Sequence, residues 1–272
     1  MIKKLSLFFV SVIFLNASIL DNKIQNIIGY KEYSENRSLI NYLFQNNSAF
    51  YSDGSINYIT VMEKLKENGL LKVDLNKPEE ISITFKISND PIKSIKIISD
   101  SLTTLGYYRY FTKELIYKDD KTIRWSISLK TEAAIDPLML SKELAKNNCR
   151  FIDIKQEGFV KWMYEIDTSN AILSNAYSIS RNERIDFRKP LSPYFIKIDN
   201  AKILNIISKY GNQWFPRVVF YDKHLNILAI VKTNEKKDSL LLEIPEETNY
   251  IKIDDIYTLA NIKRGLSVII KE

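Results

Sequence analysis

The spacing of apolar residues changes along this chain and divides it into regions of different structure. From residue 21 to residue 75 the apolar positions follow a helical period in short pieces, for example Leu39, Ile40, Leu43 and Phe44. Glycine is a common residue just past a helix end, and Gly69 follows the last of these pieces. The pattern predicts a small helical lead-in over residues 21–75.

Residues 76–167 alternate strand and helix patterns in a fixed order. Strict alternation of apolar and polar residues predicts strands at Ile81–Ile87 and Ile123–Leu129. Asp90-Pro91 and Asp136-Pro137 each predict a helix start, because aspartate caps helices and proline suits the first helical position. A hairpin completes the region. The order, β-α-β-β-α-β with one extra strand, predicts an α+β domain of the ferredoxin-like type.

The last hundred residues read as a linker followed by strands. Residues 168–193 are rich in charged side chains and include Pro190 and Pro193, which predicts a solvated linker with one strand near Ala176 to Ser180. From residue 194 to residue 272, short apolar runs are separated by turns, and no helical period intervenes. About seven short strands of this kind predict an antiparallel β-sandwich of jelly-roll-like type.

Residues 1–17 are typical of a secretory signal peptide. Two lysines precede a largely apolar run from Leu5 to Leu15, and Asn16-Ala17-Ser18 supplies small residues for cleavage. The run is too short for a membrane-spanning helix, which needs about 20 residues. An uncleaved anchor is the alternative. Cleavage after Ala17 would place Leu15 three residues before Ser18, where a smaller side chain is preferred. We expect a periplasmic protein whose only membrane contact is the signal segment.

Charge and glycine content argue against nucleic acid and nucleotide as partners. The chain carries 39 Lys and Arg against 33 Asp and Glu, so its net charge is +6, and removing Lys3 and Lys4 leaves +4. These basic residues are scattered among acids, whereas a nucleic-acid footprint is clustered. The 7 glycines form no phosphate-binding pattern.

Cysteine and histidine are each present once, as Cys149 and His224. No intramolecular disulfide can form, and a thiol next to apolar residues is more often a buried hydrophobe than a redox centre. One histidine makes His-based metal sites and Ser/His or Cys/His catalysis improbable. Asp254-Asp255 has no further acids at calcium-ligand spacing and predicts a turn or cap. We expect no cofactor and no metal.

Two parts of the chain carry resemblances to known families. Phe215–Lys223 and Ile244–Ile253 form short strands separated by turns, and this rhythm resembles galactose-binding-like, carbohydrate-binding jelly-roll modules. The export signal, together with the abundance of Ile, Lys, Asn and Tyr, resembles exported proteins of the ε-proteobacterial type. The second resemblance implies a scaffold role in the cell envelope.

The loop at residues 210–215 is the candidate ligand site, because it places aromatic and amide side chains together. An aromatic ring offers a flat apolar surface to a pyranose, and an amide both donates to and accepts from hydroxyls. The alternative is that Trp214 and Phe215 fill the end of the core. The candidate ligand-binding residues are Tyr210, Asn212, Gln213 and Trp214.

Three functions agree with these observations. The first is a non-catalytic exported protein that binds other envelope proteins as an interaction or scaffold component. The second is binding of glycan or peptidoglycan through the C-terminal sandwich. The third is a hydrolase that uses a carboxylate pair, which sequence spacing cannot reveal because catalytic acids are brought together by the fold.

Overall fold

The computed structural model describes residues 19–118 and 122–272. The signal peptide expected over residues 1–17 lies outside these residues. So does Asp119-Asp120, where the sequence predicts a turn between two strands. The chain combines helices with several β-sheets, and it divides into two compact units at the Ile172–Leu173 boundary. Within the described residues, no helix is long and apolar enough to cross a membrane.

Short helices interrupted by turns open the first unit. Gly29, at φ +82°, separates the first two helices, and the side chain of Asn57 caps the last by accepting a hydrogen bond from the Thr60 amide. The elements are α1 (residues 19–28), α2 (Tyr30–Glu35), α3 (Arg37–Leu43), a 3-10 helix (Asn47–Phe50), β1 (Tyr51–Ser52), β2 (Ser55–Ile56) and α4 (Tyr58–Glu67).

A five-stranded sheet with two helices completes the first unit. Its elements are β3 (Asp74–Ser88), α5 (Pro91–Thr104), β4 (Phe111–Tyr117), β5 (Thr122–Ala133), α6 (Pro137–Ala145), β6 (Arg150–Gln156) and β7 (Lys161–Asp167). The strand order is β4-β5-β3-β7-β6. β3 and β7 are parallel, and the other neighbours are antiparallel. β7, the last strand of this sheet in the sequence, therefore lies between β3, the first, and β6, which directly precedes it.

The two faces of this sheet differ because the second half of β3, from Ile81 to Ser88, alternates strictly. Ile81, Ile83, Phe85 and Ile87 are buried, together with Ile98 and Leu102 of α5 and Leu140 and Leu144 of α6. The residues between them occupy the opposite face, and they are Ser82, Thr84 and Lys86. One face therefore forms the core of the unit, and the other is polar.

The helical lead-in is part of this unit rather than a separate piece. The Lys23 ammonium lies 2.8 Å from an Asp153 carboxylate oxygen on β6, and the Tyr58 hydroxyl donates to the Ile152 carbonyl at 3.0 Å. Lys66 on α4 forms an ion pair with Asp136 at the start of α6. These contacts join the lead-in to both the sheet and its helices.

The two Asp-Pro sequences start helices in different ways. Asp136 accepts hydrogen bonds from the amides of Leu138 at 2.9 Å and Met139 at 3.3 Å, as a capping aspartate does. Asp90 has a left-handed φ of 38° and makes no side-chain capping bond, and its carboxylate lies 3.7 Å from the Lys93 ammonium. Of these two aspartates, only Asp136 caps its helix through its side chain.

Two sheets that share one hydrophobic core form the second unit. Their strands are β8 (Tyr177–Ser178), β9 (Arg184–Asp186), β10 (Tyr194–Lys197), β11 (Ile203–Ser208), β12 (Pro216–Tyr221), β13 (Ile227–Lys232), β14 (Ser239–Glu243), β15 (Tyr250–Asp255) and β16 (Leu266–Lys271). The first sheet has the order β13-β12-β15-β10-β8, and the second has the order β14-β11-β16-β9. Val218, Phe220 and Ile251 from the first sheet pack in one cluster with Leu204 and Val268 from the second.

The segment at residues 168–193, expected to be a linker, contributes structure to the second unit. β8 pairs in parallel with β10, and β9 pairs antiparallel with β16, so each adds an edge strand to one sheet. β8 lies within residues 176–180, where the sequence predicts a strand, whereas β9 has three residues and is too short for a periodic pattern to indicate it. Only residues 168–172 precede the boundary between the units.

We predict that Gly265→Ala strongly destabilises the second unit. Gly265 has φ +85°, and a Cβ there would lie 1.9 Å from the Phe187 carbonyl oxygen. Conformational strain and overpacking together should lower the free energy of unfolding by about 3 kcal/mol or more. Gly211→Ala is the matched control, because it has φ +88° but its nearest neighbour, Arg264, is 3.8 Å away. Equal losses in urea unfolding followed by tryptophan fluorescence would contradict the close contact.

We predict that the Cys149 thiol is unreactive in the folded protein. The residue is buried, and burial raises its pKa from 9.0 to about 12, so almost no thiolate exists at neutral pH. The raised pKa contributes stability that is fully present below pH 9. This stability is lost as the pH rises from 9 toward 12, because the thiol ionises more readily in the unfolded protein. Labelling with a disulfide reagent at pH 8 should be negligible until urea unfolds the protein. Rapid labelling without denaturant would show that the thiol is accessible.

Candidate functional site

The four residues proposed as a ligand-binding loop do not form one surface. Tyr210 and Gln213 are exposed, but Asn212 and Trp214 are buried. Alternation explains the difference, since Asn212, Trp214 and the inward residues of β12 share one side of the chain. Because both side chains are buried, Trp214 and Asn212 do not form the ligand-binding surface that the sequence predicts.

Both buried residues hold the end of the second unit together. The Trp214 indole nitrogen donates to the Asp254 carbonyl at 3.0 Å, and the ring belongs to the core cluster. The Asn212 amide nitrogen donates to the Gly265 carbonyl at 2.8 Å, and its oxygen accepts from the Arg264 amide at 2.9 Å. Trp214 thus fills the core, as the alternative interpretation of this loop had it.

The carboxylates of Asp254 and Asp255 are also occupied by protein groups. Asp254 accepts two hydrogen bonds from the Arg217 guanidinium, at 2.7 and 2.6 Å. Asp255 accepts from the amides of Phe215, Tyr257 and Thr258. It is a turn cap, and no group of three or more potential metal-ligating acids, cysteines or histidines occurs among the described residues.

A larger candidate surface lies on the side of the first sheet that faces away from the core. We call it the β12 face, and it consists of the outward side chains of β10, β12, β13 and β15. Strand register places Phe195, Lys252, Val219 and Ile230 side by side in one row. The neighbouring row contains Lys197, Tyr250, Tyr221 and Ile227. The face therefore mixes aromatic, aliphatic and basic residues.

Aromatic rings pack together in the middle of this face, while aliphatic side chains are exposed at its edge. The Phe195 ring stacks on Tyr250 at 5.6 Å and contacts Tyr221 at 5.9 Å. Tyr250 is only 6% exposed, whereas Ile227 and Ile230 on the edge strand β13 are 58% and 54% exposed. The accessible apolar area is thus mainly aliphatic.

Basic side chains lie within and beside the apolar part of the β12 face. Lys197, Lys232, Lys252 and Arg217 are outward residues of its four strands, and Asp254, which pairs with both Arg217 and Lys252, is the carboxylate among these positions. The two bonds from Arg217 hold that carboxylate in a nearly buried position, and they raise the pKa of the guanidinium. Burial, reinforced by Asp254, raises the pKa of the Tyr221 hydroxyl, so it remains protonated at neutral pH.

This arrangement suits a ligand that has both apolar and negatively charged groups. Burial of the exposed isoleucines would supply affinity, and the basic rim would favour carboxylates. The sequence contained a usable signal, because Phe215, Arg217, Val219 and Tyr221 alternate with the core residues of β12. The sequence alone does not show that the outward residues of β10 and β15 lie beside these β12 residues, because that depends on how the strands pair.

Comparisons with known proteins identify no family for this chain. No family model matches it, and no curated protein matches it. One solved structure, the pre-peptidase C-terminal domain of collagenase from Bacillus anthracis, is 13% identical with a TM-score of 0.25, covering 35% of this chain and 92% of that one. A β-glucosidase from Paenibacillus barengoltzii is 19% identical with a TM-score of 0.19, and the match covers 35% of this chain and 11% of the enzyme. Similarity at this level supports no functional argument.

We predict that Trp214→Ala destabilises the second unit by about 3–5 kcal/mol, because it removes a fully buried ring and leaves a cavity. Tyr210→Ala is the control, since Tyr210 is fully exposed and its loss should change stability by less than about 0.5 kcal/mol. Differential scanning calorimetry of both variants measures the difference. A Trp214→Ala protein with an unchanged melting temperature would contradict the core assignment.

Proposed function

We propose that this protein is a non-catalytic, exported envelope protein that binds another protein through the β12 face. The observation that carries the proposal is the combination of exposed Ile227 and Ile230 with four basic residues on the same face. The partner that fits this chemistry is a protein surface with apolar side chains flanked by carboxylates. Export to the periplasm belongs to the same proposal and rests on residues 1–17.

The fold proposed with this function has a ferredoxin-like first unit and a jelly-roll-like second unit. The arrangement β-α-β-β-α-β-β, with the added strand beside the first, supports a ferredoxin-like variant. Two sheets around one core support a β-sandwich. In both units, the sheet has a face directed away from the core, where binding residues can be placed without loss of packing.

A protein partner suits the β12 face better than a glycan does. A sugar requires an open aromatic face, but Phe195 and Tyr250 stack on each other and Tyr250 is almost covered. Exposed isoleucines on an edge strand are more typical of contacts with protein. A carboxylate-dependent hydrolase gains no support here, because Asp254 is already bound by Arg217.

The experiment compares partner recovery by the wild-type protein and by an Ile227→Asp/Ile230→Asp variant. Each protein is isolated, immobilised and exposed to envelope extract, and captured proteins are cross-linked and identified. The dissociation constant is then measured with the purified partner. Negative charge in the apolar part of the face should raise it by about tenfold or more, as interface hot spots do.

Leu241→Asp is the matched control, because Leu241 is 67% exposed on β14 of the other sheet. It should leave the dissociation constant unchanged. A partner that binds the double variant and the wild-type protein equally would refute the proposed face. Retention on purified peptidoglycan, without any protein partner, would favour the carbohydrate-binding alternative instead.

A further inference from the structure

The polar face of the five-stranded sheet in the first unit contains a groove of about 360 Å³. Hydroxyl groups from two neighbouring strands line it, and they belong to Ser82 and Thr84 on β3 and to Ser126 on β5. The Thr84 and Ser126 hydroxyl oxygens lie 3.0 Å apart. Only one hydrogen can join these two oxygens, so the second hydroxyl hydrogen is left to donate elsewhere.

Basic side chains border the same groove on both sides. Arg124 comes from β5, whereas Lys155 and Lys161 come from β6 and β7, and Glu157 is the acidic residue of the lining. The Lys155 ammonium lies 2.9 Å from the Glu157 carboxylate, and this contact holds the pKa of Glu157 below its usual range. The lining therefore contains three cations and one ionised carboxylate.

Like charges face each other at one end of the groove. Arg124 is directly opposite Lys86 in the β3–β5 ladder, and like charges in that position destabilise a sheet. Two carboxylates are nearby: Glu114 on β4 approaches the Arg124 Nε to 3.8 Å, and Glu165 is opposite Lys86 on β7. The Glu114 contact is too long for a hydrogen bond, and Arg124 remains 46% exposed at its side chain. A bound anion would relieve this repulsion.

The spacing of the cations indicates the size of the anion. Arg124 on β5 and Lys161 on β7 are separated by β3, and they lie opposite Lys86 and Ser82, four residues apart along that strand. Two strand spacings and four residues of strand rise place their backbones roughly 16 Å apart, and both long side chains line the groove between them. A single phosphate or carboxylate cannot contact both ends of such a groove, but a molecule with several negative groups can. The hydroxyls between them would donate to oxyanions that reach the floor.

We propose that this groove binds a small polyanion with at least two phosphate or carboxylate groups. Arg124 and Lys161 bind its two ends, and the Thr84 and Ser126 hydroxyls contact it between them. The site lies in the first unit and is separate from the β12 face of the second.

Isothermal titration calorimetry at low ionic strength tests the proposal with two probes, inorganic tripolyphosphate and citrate. The wild-type protein should bind at least one of them, and higher salt should weaken binding. Arg124→Ala and Lys161→Ala should each raise the dissociation constant about tenfold, because each removes a charged hydrogen-bond donor. Binding of tripolyphosphate alone supports a phosphate ligand, binding of citrate alone supports a carboxylate ligand, and binding of both supports recognition of charge.

Lys77→Ala is the matched control, since Lys77 is exposed on β3 outside the groove. It should bind the probe as the wild-type protein does. No binding of either probe, or the same loss in Lys77→Ala as in Arg124→Ala, would overturn the proposal. The Ile227→Asp/Ile230→Asp variant should retain polyanion binding, so failure of this inference is distinguishable from failure of the proposed function.

Discussion

Burial of alternate side chains on two-faced sheets is the constraint on which both units depend. With one cysteine, the chain cannot stabilise itself through an intramolecular disulfide, so the folding free energy must come mainly from packed apolar residues. β12 and the second half of β3, from Ile81 to Ser88, show how this is achieved, since every second residue of each enters a core. The remaining residues are free of that requirement, and both candidate binding surfaces consist of such residues.

The sequence was most informative where a pattern was long. Ile81 to Ile87 and Ile123 to Leu129 alternate without interruption, and both segments are strands of one sheet. Patterns of two or three residues carry too little periodicity, so the linker prediction contained one strand, near β8, and missed β9. Capping residues were equally ambiguous, because Asp90 and Asp136 precede proline alike but only Asp136 bonds to helix amides. That difference depends on the backbone conformation, which the dipeptide alone does not determine.

The candidate site could be predicted only in part for a related reason. Composition drew attention to Trp214 because aromatic and amide residues surround it, but the alternation of β12 extends back through Trp214 and Asn212 and places them inside. The same alternation places Arg217 and Tyr221 outside. Their neighbours Phe195 and Lys252 come from strands that are distant in sequence, and antiparallel pairing brings them together.

Strand pairing also explains why charge composition gave little indication of a binding surface. The basic residues are scattered along the chain, yet a period of two collects those on neighbouring strands on one face. Several carboxylates are meanwhile neutralised locally, as Asp254 is by Arg217 and Glu157 by Lys155. On the β12 face and in the groove of the first unit, the basic residues still outnumber the carboxylates with which they pair. A modest net charge of +6 is compatible with two basic surfaces, because the fold places basic and acidic residues at different positions on the molecule.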